Sequence, residues 1–168
     1  MATWPVTGVT KPVYPNAKFP DEVDPSDRPT IYASIAKGRC LEPVFADGEC
    51  IAFSKDAEIQ PGDYVGICLV PDAVQPDEPP NRVKRLRSIM PGITFPFRAA
   101  PGNELMPLVE LEQHNPPRVL RVPADHILAM HKVIGTAKTM GEGKAQLVPL
   151  EPERLDRLEY VLIDCVQL

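Results

Sequence analysis

The chain has 168 residues, a length that suits one compact domain, with 43% hydrophobic residues and a net charge of −5. That charge excludes a general electrostatic attraction to nucleic acid, although a local basic patch stays open. Proline is the outlier at 21 of 168 residues, against a usual share of about 5%, which excludes long helices because each proline removes a backbone donor and clashes with the preceding turn.

Residues 1–30 read as an extended arm. They hold Pro5, Pro12, Pro15, Pro20, Pro25 and Pro29 and an acidic cluster of Asp21, Glu22, Asp24 and Asp27. No helical apolar period appears, so no helix-turn-helix reader fits here. Trp4 and Tyr14 are the candidate anchors if the arm lies on a partner surface.

From residue 31 onward the pattern is short strands with turn punctuation, and residues 31–168 form the expected domain. Residues 49–54 place Ile51 and Phe53 on one face. Pro61, Gly62 and Asp63 form a turn into 64–70, a nearly continuous apolar run that predicts a strand buried on both faces. Residues 71–81 read as a loop and 82–89 as a strand. Residues 90–105 read as irregular, and 106–112, 118–122, 127–139 and 145–150 as strands. A short helix is expected over 152–158 and a closing strand over 159–167. The expected fold class is mainly β, as a barrel or folded sheet.

Several functional classes drop out. The longest apolar run, Tyr64 to Val70, has seven residues, whereas a membrane-spanning helix needs about 20. The first fifteen residues lack a secretory apolar stretch, so a cytoplasmic location is expected. Cys40, Cys50, Cys68 and Cys165 form no CxxC pair, and His114, His126 and His131 have no ligand spacing, with His126 and His131 expected on opposite strand faces. No metal and no cofactor are therefore expected. No residue pattern selects one of the histidines as a partner for Cys40. Arg82, Lys84, Arg85 and Arg87 lack interleaved aromatics and read as a solvated strand face, so direct nucleic-acid binding is not expected.

Three blocks carry chemistry. The first is Gly38-Arg39-Cys40-Leu41-Glu42-Pro43-Val44-Phe45-Ala46-Asp47-Gly48-Glu49. The second is Pro61-Gly62-Asp63-Tyr64-Val65, and the third Arg82-Val83-Lys84-Arg85-Leu86. In this order they resemble the S24 peptidase family of LexA-type repressors, their phage relatives and UmuD-type proteins, with signal peptidases as distant kin. The likeness covers about residues 31–90, and Val133-Ile134-Gly135 looks like the family's closing strand.

The resemblance implies a LexA-like β-ribbon fold, a homodimer, and a role in phage or SOS-type regulation. It aligns Lys84 with the family's general base. Strand parity places Lys84 on the face of Leu86, inward, which suits a lysine that must lose hydration to act as a base. The family's serine aligns with Cys40, and Arg39 and Leu41 also depart from the pattern. Leu41, Glu42, Pro43 and Phe45 would shape a substrate cleft. Free thiols titrate near 8.5 and lysines near 10.4, so a Cys/Lys pair can rest as thiolate and ammonium, with the lysine a counter-ion. Family members cut a small-residue-Gly bond, but upstream of Cys40 only Thr7-Gly8 and Lys37-Gly38 end in glycine. The expectation is a catalytically degenerate domain that acts through self-association or by binding a peptide or protein partner. The alternative is an active Cys40/Lys84 peptidase.

Overall fold

Strand formation starts where the proline-rich stretch ends. The computed structural model describes residues 25–77, 79, 81–102, 105–141, 144–150 and 162–165. Its strands are β1 (Ile31–Ile35), β2 (Cys50–Ser54), β3 (Tyr64–Leu69), β4 (Asn81–Ser88), β5 (Leu108–His114), β6 (Pro117–Pro123), β7 (Ile127–Gly141), β8 (Lys144–Pro149) and β9 (Leu162–Cys165). The chain is mainly β, and the helical pieces among the described residues are short 3-10 turns. None of the described helices is long and apolar enough to cross a membrane. Of the expected arm over 1–30, residues 25–30 are described, and the expected helix over 152–158 lies outside the described residues. Of the expected closing strand over 159–167, residues 162–165 are described and form β9.

The strand order is β2-β1-β9-β8-β7-β3-β4-β5-β6, and β2 also pairs with β7. That extra pairing closes β2, β1, β9, β8 and β7 into a ring, which leaves these strands no open edge. Ala33, Cys50, Ala52, Ala145 and Leu147 pack together as one buried cluster of the ring. Three of these are alanines, and small side chains let so few strands close. On the opposite face Tyr32, Ile51, Phe53 and Val133 pack with Leu41 and Phe45 from the segment between β1 and β2.

β7 belongs to both halves of the molecule. Its start pairs with β3 and its later residues with β2 and β8. From β3 the sheet continues through β4, β5 and β6 over a second core of Val65, Ile67, Leu69, Leu86, Val109, Leu111 and Ile127. The apolar run 64–70 is buried at Val65, Ile67, Cys68 and Leu69, as a strand covered on both faces requires. Gly66 is needed here, since a Cβ at this position would lie 2.7 Å from Cε1 of Phe53.

One strand differs from expectation in register. Residues 106–112 were the expected span, and β5 is Leu108–His114. Pro107 cannot donate to a ladder, and the β5–β6 hairpin closes tightly, with His114 opposite Pro117. The shift carries His114 onto the end of the strand. His126 lies in the 3-10 turn Ala124–His126 and not on a strand, so the expected opposition of His126 and His131 across one strand does not arise. Before β1, Pro25–Asp27 form a 3-10 turn, and Arg28 is buried against the domain.

Candidate active site

The segment between β1 and β2 is a structured turn region. Gly48 N–H donates to Ala36 O and Ala36 N–H to Glu49 O, each at 2.8 Å, so its two ends are tied. Gly38 N–H donates to the Asp47 carboxylate at 2.8 Å, and Ala46 N–H to that of Glu49 at 3.0 Å. The acidic residues of the Asp-Gly-Glu run thus hold backbone donors that the turn would otherwise leave open. Leu41 and Phe45 are buried and act as its apolar feet.

Cys40 sits in this turn and not on a strand. A turn faces a strand. Lys84 lies in β4 opposite Val65 and shares the inward face of Leu86, and it is only 6% exposed. Its Nζ donates to Cys40 Sγ at 3.1 Å across 44 positions of sequence. The thiol also lies 3.9 Å from Val83 O, within sulfur hydrogen-bonding range.

Of the other expected cleft residues, Leu41 and Phe45 are part of the buried core beneath the turn. Glu42 is half-buried and pairs with Arg39 at 2.9 Å, and Pro43 is exposed. The first two can therefore shape a cleft only from below, and Pro43 is the one fully open to a ligand.

The end of β5 supplies a support that spacing alone did not reveal. His114 N–H donates to Cys40 O at 2.7 Å, and Asn115 N–H donates to the same oxygen at 3.0 Å. The His114 ring meets the Tyr64 hydroxyl at 2.9 Å, and Tyr64 stands edge-on to Phe45 with centroids 5.1 Å apart. Burial raises the Tyr64 hydroxyl above its ordinary pKa, and Glu112 adds to this while Arg85 opposes it. The neighbours of Cys40 are thus fixed by one chain of contacts running from the turn to β3 and β5.

The basic run on β4 is partly committed to other partners. Arg85 pairs with Glu112 at 2.8 Å and donates to Gly62 O at 3.2 Å. Elsewhere, a cavity of about 980 Å³ is lined by Lys55, Ile89, Phe95, Met130 and His131 among others, and neither Cys40 nor Lys84 borders it. Among the described residues, no three His, Cys, Asp or Glu side chains gather as a metal-ligand set.

A third polar group is buried outside the dyad. Arg28 donates to the Tyr32 hydroxyl at 3.2 Å, and that hydroxyl meets His131 Nδ1 at 2.7 Å. With Arg28 donating to the tyrosine oxygen, the tyrosine proton points at the imidazole, which assigns its Nδ1 as acceptor. Burial pushes the His131 pKa down to about 3, with Arg28 and Lys55 adding to the effect.

No protein-family model, curated protein or solved structure matches the chain. The functional reading therefore rests on the geometry of Cys40 and Lys84.

Proposed function

We propose that this chain is a peptidase-type domain of the S24 kind, in which a thiol stands at the serine position and the lysine is retained. The observation that carries this reading is the 3.1 Å contact between a buried lysine amine and a half-buried thiol from a distant segment. A decayed site has no reason to keep a lysine 6% exposed against a cysteine, because a buried amine is costly without a partner. In the proposed reaction Cys40 sulfur bonds to a peptide carbonyl carbon, Lys84 receives the thiol proton and returns it to the departing amine, and water then breaks the thioester. The peptide would lie extended beside Pro43 and the β4 side of the turn.

Alkylation tests the reading. With limiting iodoacetamide, Cys40 is expected to react faster than Cys50 and Cys68, which are 6% and 4% exposed. Accessibility alone would give that order, so the decisive comparison is Lys84→Met, expected to slow Cys40 about tenfold. An unchanged rate in the variant would remove the lysine from the chemistry.

A second reading, in which the domain binds a peptide or a second copy of itself without cutting, is favoured by one sequence observation. No Ala-Gly or Cys-Gly bond precedes Cys40, and Lys37-Gly38 lies too near to fold back onto it. Both readings therefore expect the purified chain to keep its intact mass on long incubation at about pH 9–10, where a lysine is increasingly neutral. Truncation within residues 1–37 that vanishes in Lys84→Ala would instead establish self-cleavage. Sedimentation at micromolar concentration tests the self-association part, and a strict monomer would leave only a separate partner.

A further inference from the structure

We infer that Cys40 and Lys84 form a reversible oxidation site, in which a hydroperoxide drives a covalent sulfur–nitrogen bond between the turn and β4. The inference rests on the contact itself and does not require peptide hydrolysis.

The sulfur and the amine nitrogen are 3.1 Å apart, and each belongs to an anchored segment. Cys40 is held through its carbonyl by the N–H groups of His114 and Asn115, and Lys84 by its place in the β3–β4 ladder. Cys40 is a half-buried residue that a small oxidant can approach, whereas Lys84 is buried. A cysteine sulfenic acid is ordinarily captured by a second thiol or a nearby nitrogen. Here Cys50 packs in the ring cluster, and Cys68 is three residues along β3 from Val65, the register partner of Lys84. The group already in contact with Cys40 sulfur is the lysine amine.

The chemistry balances in two steps. The Cys40 sulfur attacks the hydroperoxide and breaks its O–O bond, giving a sulfenic acid and an alcohol, or water from hydrogen peroxide. The sulfur is oxidised by two electrons and the peroxide reduced by two. Lys84 nitrogen then attacks the sulfur, the S–O bond breaks, and hydroxide leaves with a proton from nitrogen as water. The product is a sulfenamide. Two equivalents of an external thiol reverse it, restoring thiol and amine and forming the external disulfide. While it lasts, the bond removes both the nucleophile and the base and staples the turn to β4.

The test is intact mass and peptide mapping of the full chain after graded hydrogen peroxide. The expected result is a loss of about 2 Da, the mass of two hydrogens, with the peptides carrying Cys40 and Lys84 joined and released by dithiothreitol. Lys84→Arg should abolish the joined peptide and let Cys40 proceed to the sulfinic acid. Direct accumulation of sulfinic acid at Cys40 in the unaltered chain, with no joined peptide, would overturn the inference. So would a mass loss that maps to a disulfide, or oxidation of Cys50 and Cys68 ahead of Cys40. Lysine-dependent alkylation of Cys40 without the joined peptide would sink this inference while leaving the peptidase reading intact.

Discussion

Replacing Gly135 with alanine is expected to cost the protein more than about 3 kcal/mol, the range of severe core disruptions. Gly135 pairs with Ala52 of β2 and with Pro149 of β8, at an irregularity in the β2–β7 register. A Cβ there would stand 2.1 Å from Val148 O and 2.9 Å from Pro149 Cα. Both are backbone atoms of β8, so relief requires opening the β7–β8 pairing, one of the ladders of the ring. Gly66→Ala is expected to cost less, because its Cβ would meet the edge of the Phe53 ring at 2.7 Å and a ring can tilt. Urea denaturation of the two variants beside the parent checks both. A loss under about 1 kcal/mol for Gly135→Ala would mean that β8 does not close against β7 in this way.

The second large effect is acid destabilisation through His131. An unfolded histidine titrates near 6.5, and in the fold His131 is held down at about 3 by burial, Arg28 and Lys55. Between those values the unfolded chain binds the extra proton and the folded chain does not, so stability rises with pH across the window. The contribution is complete above about pH 6.5 and is lost as pH falls toward 3. By about pH 5 the loss is about 2 kcal/mol. Protonation would also turn Nδ1 into a donor facing a tyrosine oxygen that already accepts from Arg28. Denaturation midpoints measured from pH 7 to pH 4 should fall more steeply for the parent than for His131→Gln, whose side chain does not titrate. Parallel curves would show that His131 takes up its proton without unfolding.

Gly135 and His131 share strand β7 but meet different neighbours, and neither is Cys40 or Lys84. Gly135 governs the close approach of β8 to β7, and His131 belongs to the group in which the Tyr32 hydroxyl of β1 links Arg28 to β7. Loss of thiol reactivity in either variant would therefore report on the support of the Cys40 turn, which packs on Tyr32, Phe53 and Val133.

Local chemistry in the sequence was enough to mark out most strands. The apolar run over 64–70 announced β3, and alternation over 82–89 announced β4 with Lys84 on the inner face beside Leu86. The glycines of the Cys40 segment announced a turn, and Gly38 and Gly48 do adopt φ of 95° and 85°. These readings succeed because strand parity, proline and positive-φ glycine act over a few residues.

The tertiary structure alone decided what those pieces meet. Closure of the ring through β2–β7 and the parallel pairing of β1 with β9 join segments far apart in the chain, and no local period encodes them. The support that His114 gives Cys40 followed from the two-residue shift of β5, and no spacing in the sequence links them. His131 is held down by burial first and then by the charges of Arg28 and Lys55, which lie far from it in the sequence. The sequence by itself determined where most strands run and which faces are apolar, and it set Cys40 and Lys84 apart as a candidate pair. Their 3.1 Å contact was decided by packing across 44 positions, because the cores beneath the turn and the strand set where the two stand.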